Sequence, residues 1–318
     1  NYGPMAIYYS RTKDFATWTV PEQISFLEGQ EDLPLYTNQV QPYYRGEHIR
    51  IGLGSYVECT LPILDGLKET FPKAEISVCS DIMVALRSIK SENELACIRK
   101  GFEIVEVATD EVIKALKPGV TELQMVGVAQ KVIYELGAEY EGLPMYVFSE
   151  SSTRHAISRS TYKVIGKDDI VQLNLSAKID GYSPAIGLPV FMGKAEGEKK
   201  ELVEFCLKMH NWTTENLKAG IPANKIPREF LQMFKDAGYE KNYVYGPCHG
   251  TGMIEVEAPW METSSEYTLK ENMTFQVDTF ISGSTFGCRW EKGIAIKENG
   301  VESYTDYLEK HGLIELGF

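Results

Sequence analysis

Tyr245-Gly-Pro-Cys-His-Gly-Thr-Gly-Met253 sets glycines and a proline around His249, one of five histidines in the chain. That composition lets backbone run close to a ligand while displaying an imidazole. Two acidic residues follow where acidic residues are costly. Asp278 interrupts the apolar run Phe275 to Ile281, and Glu291 lies between Trp290 and Ile294. A carboxylate in a sheet core must be paired or coordinated. Both stretches follow the His249 loop, so the three side chains are expected to share a pocket. Asn174 is set in the same way within Val171 to Leu175, and His155 opens the segment leading to it. An imidazole beside carboxylates can move protons or hold a cation.

The elements that must position these groups are legible in outline. Ser91-Glu-Asn-Glu94 is a capping box opening a helix whose stripe is Leu95, Ile98, Phe102, Val105, Val112, Ile113 and Leu116. Pro118-Gly119 stops it, and Thr121-Glu-Leu-Gln124 caps a second helix ending at Gly137. The pattern recurs: Leu116-Lys-Pro-Gly-Val120 matches Leu217-Lys-Ala-Gly-Ile221, and Gly119 to Gly137 spans the same length as Gly220 to Gly238. A duplicated helix pair is expected, each copy followed by strands and packed about a pseudo-twofold axis. Asp169 to Ser176 alternates as a strand, and Asp180-Gly181 turns it into a return strand through Ile186 toward Phe191. Met273 to Ile281 and Gly287 to Ile296 form a second pair, with a turn at Asn299-Gly300 leading into Val301 to Tyr304.

Residues 1–88 read as a smaller α/β domain. His48 to Gly54 and Ala74 to Cys79 are strand-like, Leu61 to Phe71 and Ile82 to Ile89 helical. His48 is expected at the surface. The chain opens at Asn1 rather than Met, so residues are expected before it.

With 318 residues there is enough chain for two cores. A net charge of −13 and a pI near 5.0 argue against nucleic acid or anionic lipid as a partner. The six cysteines are dispersed with no CxxC, which fits reduced thiols in a cytoplasm. No stretch is long and apolar enough to span a membrane. Cys248 beside His249 is expected to pack rather than react, because neighbours on extended backbone point apart.

Residues 89–318 resemble the creatinase/aminopeptidase family, known as peptidase M24. The motifs that carry this are Ile89 to Lys100, Lys117-Pro-Gly-Val-Thr-Glu122, Asp180-Gly-Tyr182, Cys248-His-Gly-Thr-Gly252, Met273-Thr-Phe-Gln-Val277 and Arg289-Trp-Glu291. The resemblance implies an α+β pita-bread fold, with duplicated halves around a curved antiparallel sheet. Before it would come a ribonuclease H-like α/β domain over residues 1–88, truncated at its start. Metallopeptidases of the family hold two metal ions on two aspartates, a histidine and two glutamates. By position these fall on Asn174, Ala185, His249, Asp278 and Glu291. The peptidases' second histidine falls on Val256, while Glu257 beside it is kept. Asn174 is neutral and Ala185 has no ligand atom, so no dinuclear metal cofactor is expected. A single weakly bound divalent ion on His249, Asp278 and Glu291 stays open.

Creatinase, the metal-free hydrolase of this fold, is similar in having asparagine and alanine at those two positions. The resemblance then gives His155 the proton-transfer role. The glutamate that creatinase has on the return strand falls on Gly187, so creatine itself is a poor substrate. The leading expectation is a creatinase-like hydrolase of a C–N bond in a small amidine, guanidino or amide substrate. His155, His249, Asp278 and Glu291 would be catalytic, with His249 polarising the carbonyl and the carboxylates holding a cationic group. Asn174, Tyr182, Glu257 and Arg289 would bind substrate. Arg289 is expected to face away from Glu291 and to enter the pocket only through a bulge. Tyr182 and Trp290 are candidate pocket walls. Two alternatives stand beside this. One is an Xaa-Pro dipeptidase or aminopeptidase with a degenerate metal site. The other is an inactive pseudopeptidase that binds a peptide or protein. The family also implies a homodimer.

Overall fold

The computed structural model describes residues 50–54 and 59–318. His48 therefore lies outside the described residues, as does most of the expected first domain. The chain divides into two compact units, with the boundary between Met83 and Val84. In the first, β1 (Arg50–Leu53) and β2 (Glu75–Val78) pair in parallel, joined through α1 (Leu61–Thr70). Parallel pairing demands such a crossover. Helix α2 (Ser80–Ser88) carries the chain across the boundary.

The second unit begins with α3 (Glu92–Ala115) and α4 (Glu122–Glu135). Both capping boxes form: Ser91 with Glu94, and Thr121 with Gln124. Each satisfies otherwise orphaned N–H groups at a helix start. The stripe of α3 buries Leu95, Ile98, Phe102, Val105 and Val112. A second helix pair follows, α5 (Gly197–Asn216) and α6 (Lys225–Asp236). The duplication is visible in the backbone. Gly119 and Gly220 have φ of 95° and 87°, Gly137 and Gly238 of 91° and 77°. Gly137 and Gly238 directly follow the last turns of α4 and α6, while Gly119 and Gly220 lie in the turns between the helices of each pair, all in a left-handed conformation that glycine adopts without strain.

The strands form one nine-stranded sheet. The first helix pair is followed by β3 (Tyr146–Ser149), β4 (Ile170–Ser176) and β5 (Ala185–Phe191). The second is followed by β6 (Cys248–Gly250), β7 (Glu257–Met261), β8 (Thr274–Ser282) and β9 (Gly287–Lys297). Their order is β3-β4-β5-β9-β8-β6-β7, so the halves meet where β5 lies against β9. Two short strands extend it, β10 (Gly300–Ser303) on β9 and β11 (Ile314–Glu315) on β5, with α7 (Tyr307–His311) between them. Strands β4, β5 and most of β9 are buried throughout. Neither face of this part of the sheet meets open solvent.

Strand alternation sorts β9 into two faces. Trp290 points to the helix side, fully buried, with its indole N–H donating to the Val203 carbonyl at 3.1 Å. It is core, and does not wall the pocket. Arg289 and Glu291 point the other way. Behind Trp290, the Nδ1 of His210 donates to the Trp290 carbonyl at 3.1 Å. Burial first, and Lys292 second, hold the His210 pKa down to about 3 from 6.5. A depressed histidine pKa supports the fold above pH 6.5 and withdraws that support as pH falls toward 3. Between pH 8 and 5 the loss is about 2 kcal/mol. His210→Gln, which keeps a donor for the Trp290 carbonyl, is expected to abolish that loss in urea melts at the two pH values. Equal losses in both proteins would refute the assignment.

Candidate active site

His249 does not sit on a loop. It lies in the short strand β6, hydrogen-bonded between β7 and β8, with a register shift just after it on the β7 side. That irregularity accompanies a contact at His249. Its Nδ1 lies 3.0 Å from the Gly250 carbonyl, which fixes Nδ1 as the donor. Nε2 is therefore the atom turned toward the site. Three carboxylate oxygens surround it: Glu291 Oε1 at 3.6 Å, and Asp278 Oδ2 and Glu255 Oε1 at 3.8 Å each.

Sheet register explains why three of these groups meet. Asp278 on β8 is directly opposite Glu291 on β9. Glu291 is in turn opposite Gly187 on β5, and Gly187 opposite Asn174 on β4. Asn174 reaches across the bare glycine and donates from Nδ2 to Glu291 Oε2 at 2.5 Å. A Cβ on Gly187 would stand 2.7 Å from that Nδ2 and 2.8 Å from the Glu291 Cβ. No side chain fits there while the pair is made.

Arg289 enters the same centre. The expectation that it faces away is corrected: it stands two residues from Glu291, and a strand period of two puts both on one face. The β8–β9 register is regular through this pair, so no bulge is involved. Its Nε lies 3.1 Å from Asp278 Oδ1 and its Nη1 3.7 Å from Glu291 Oε2. Nη2 donates to the Ala156 carbonyl at 2.9 Å and to the Tyr245 hydroxyl. The guanidinium thus holds the outer oxygens of both carboxylates, and the inner oxygens remain turned to His249.

Burial and mutual charge separate the protonation of these groups. Burial disfavours the imidazolium of His249, but Glu255, Glu291 and Asp278 outweigh it and raise its pKa to about 9. Burial raises Asp278 to about 6, against the pull of Arg289. Burial also raises Glu291, yet its pairing with His249 and Arg289 wins and brings it to about 2. Burial, then the neighbouring Glu291 charge, push Glu255 well above the usual carboxylate range. With nothing else present, the centre is held by an imidazolium and a guanidinium among carboxyl groups.

Several expected site residues are elsewhere. His155 is exposed at the end of a 3-10 turn (Glu150–Arg154), and it does not line the pocket. It closes that turn by donating its backbone N–H to Ser152 at 3.2 Å, while the next residue, Ala156, supplies the carbonyl for Arg289. Tyr182 donates its hydroxyl to Glu94 Oε1 at 2.6 Å, near the start of α3, and likewise lies outside the pocket. Glu257 is spent on Arg87, on Lys90 at 3.3 Å and on the Ile254 N–H at 3.1 Å. In its place Glu255 faces His249. Sequence reading passed over Glu255, although a lone acid among Met253, Ile254 and Val256 was a signal of the same kind as Asp278. Cys248 is buried and unreactive by position, its thiol pKa pushed up by burial.

A cavity of about 520 Å³ opens above the centre. Glu255, Asp278, Arg289, Glu291 and His249 line its floor; Tyr146, Tyr243, Tyr245 and Trp260 are among its walls. Polar groups converging in a largely apolar pocket mark a small-molecule site.

The donor set at this floor suits one metal ion and not two. A pair of ions does not fit: Ala185 has no donor atom, and the Asn174 amide already donates to Glu291. One ion does fit. His249, Asp278 and Glu291 each offer a ligand atom, all within 4.8 Å of one another. An imidazole that donates its other nitrogen to a backbone carbonyl is the usual arrangement of a histidine ligand.

A buried imidazole–carboxylate centre at the seam of a duplicated α+β sheet defines a class: pita-bread hydrolases acting on C–N bonds. The chain belongs to metallopeptidase family M24, whose model matches residues 96–298, more than half of the chain. It is 25% identical over 305 residues to an Xaa-Pro dipeptidase of Pyrococcus horikoshii, covering 94% of this chain and 86% of that protein. An Xaa-Pro dipeptidase of Pyrococcus furiosus is 25% identical over 246 residues, 76% of this chain and 70% of that one. Among solved structures, a prolidase from Pyrococcus furiosus superposes with a TM-score of 0.78 at 22% identity, over 86% of this chain and 80% of the other. An X-Pro aminopeptidase from Thermotoga maritima gives 0.76 at 23% identity, over 81% and 72%. At these identities the structural likeness carries the fold.

Proposed function

We propose that the protein hydrolyses the C–N bond of a dipeptide-sized substrate, with Xaa-Pro dipeptides the first class to test, at a centre built for one divalent ion. The observation that carries this is the set of inner carboxylate oxygens and His249 Nε2 at the floor of an aromatic cavity. The named relatives favour a dipeptide over a guanidino substrate. The creatinase-like reading asked for His155 as the proton-transfer residue, and His155 is exposed.

Each residue has a physical task in this reading. Arg289 and Asn174 occupy the outer oxygens of Asp278 and Glu291 and so aim the inner ones. The Gly250 carbonyl fixes the tautomer of His249. Tyr146 and Trp260 offer flat apolar surfaces suited to a pyrrolidine ring and exclude water around the amide. His249, Asp278 and Glu291 would hold the ion, which would supply Lewis-acid polarisation of the scissile carbonyl.

The test is a substrate panel of Xaa-Pro dipeptides, creatine and ectoine, run in chelator and in Mn2+. Dipeptide cleavage with Mn2+ is expected. His249→Gln is expected to lower kcat/KM by on the order of 10² to 10⁴. No dipeptide cleavage by metal-loaded protein would overturn the reading. Opening of an amidine or guanidine in chelator would replace it with a metal-independent one, which Asn174 and Ala185 favour.

A further inference from the structure

We infer that Glu255 is a ligand of this centre, supplying to a single divalent cation a carboxylate in place of those missing at Asn174 and Ala185. The inference rests on the one-ion reading above and goes beyond it in assigning a metal ligand from a different segment.

Three observations carry it. First, Glu255 is 5% exposed, and its Oε1 has no hydrogen-bond partner among the described residues. A buried, unpartnered carboxylate oxygen is costly, and a cation removes that cost. Second, that same oxygen lies 3.8 Å from His249 Nε2, as do its counterparts on Asp278 and, at 3.6 Å, Glu291. Donor atoms bound to one ion at about 2.0–2.2 Å must themselves stand roughly 3–4 Å apart, a spacing that each of these three oxygens keeps from His249 Nε2. Third, the charge count matches. With an ion bound, His249 is a neutral ligand and Glu255, Asp278 and Glu291 are ionised, and Arg289 is the cation set against them among the described residues. The balance of two negative charges is what a divalent ion neutralises.

The aim of Glu255 is built into its loop. Ser183 donates its backbone N–H to the Gly252 carbonyl at 2.8 Å and its hydroxyl to the Met253 carbonyl at 3.0 Å. Lys178 Nζ donates to the same Met253 carbonyl at 2.8 Å. On the far side Glu257 holds the Ile254 N–H at 3.1 Å and is itself clamped by Arg87 and Lys90. Glu255 is thus carried between two anchored points. Glu257 positions the loop, and Glu255 presents the ligand atom. Oxygen and imidazole donors suit Mn2+, Co2+ or Zn2+.

The experiment uses the full chain, stripped with chelator and dialysed, then titrated with Mn2+ by calorimetry and followed by thermal melting. One Mn2+ per chain is expected for the unmodified protein, with a rise in Tm that grows with Mn2+ concentration. Glu255→Gln should weaken Mn2+ at least about tenfold while leaving the metal-free Tm unchanged or higher, because a neutral amide of the same shape replaces a carboxyl that burial already keeps from ionising. If Glu255→Gln fails to fold, Glu255→Asp, whose shorter reach should also weaken Mn2+, serves instead. Unchanged Mn2+ affinity in the variant overturns the inference. So does an absence of Mn2+ binding by the unmodified protein. Loss of turnover at unchanged Mn2+ affinity also overturns it, and assigns Glu255 to a cationic group of the substrate. Mn2+ binding as expected, with no dipeptide cleaved, leaves the ligand assignment standing and removes only the functional reading.

Discussion

Arg289→Met is expected to lower the Tm of the metal-free protein by on the order of 10 °C, while tightening Mn2+ by about tenfold or more. The two effects have opposite signs, and that is the value of the test. Arg289 is buried and ion-paired to Asp278 and Glu291. Removing one partner of a buried pair leaves uncompensated charge and costs roughly 3–5 kcal/mol. Methionine keeps much of the volume, so packing loss contributes little. The same substitution removes a positive charge that repels an incoming cation, so metal affinity rises. Thermal melts in chelator and calorimetric Mn2+ titration measure the two quantities separately. An unchanged metal-free Tm would mean that the guanidinium does not balance these carboxylates.

Asn174→Asp combined with Ala185→Asp is expected to raise the Mn2+ stoichiometry from one to two per chain. It should also destabilise the metal-free protein. Asn174 is 1% exposed and gives its amide N–H to Glu291. An aspartate there loses that donation and sets a further anion beside Glu291. At pH 8 the expected cost is about 3–5 kcal/mol. The added carboxyl has its pKa raised by burial and by like charge. Its destabilising effect is therefore full above the folded-state pKa and shrinks as pH falls through it. Ala185, buried at the start of β5, shares the face of Gly187 and so points toward the same centre. Calorimetry would give the stoichiometry, and melts with and without Mn2+ would show the rescue. A double variant that still binds one ion would show that more than ligand identity separates this centre from a two-metal one.

Local chemistry made the scaffold readable. The capping boxes at Ser91 and Thr121 and the matched glycines after each helix are written within a few residues each. Strands β4, β5, β8 and β9 announced themselves by alternation or by apolar runs. The approach of Asn174, His249, Asp278 and Glu291 was legible because carboxylates in buried strands need partners. What escaped depends on distant contacts. Whether an acid faces the pocket or a lysine is decided by residues far off in the chain: Glu257 is captured by Arg87 and Lys90, and Glu255 is left to face His249. Tyr182 is drawn to Glu94 in the same way. His155 was assigned from the resemblance alone, and it lies exposed at the end of a 3-10 turn. Arg289 is a different case. Its place on the pocket face followed from counting residues along β9, and needed no structure.

Gly187 has a consequence for what this pocket can become. Its missing side chain makes β5 a window through which β4 and β9 touch. A creatinase-like pocket would put a glutamate at that position. Such a side chain would close the window, sever Asn174 from Glu291 and crowd the strand that carries Arg289. The Asn174–Glu291 contact and a side chain at position 187 are mutually exclusive at one backbone position. Filling the window in β5 therefore requires Asn174 on β4 and Glu291 on β9 to give way as well.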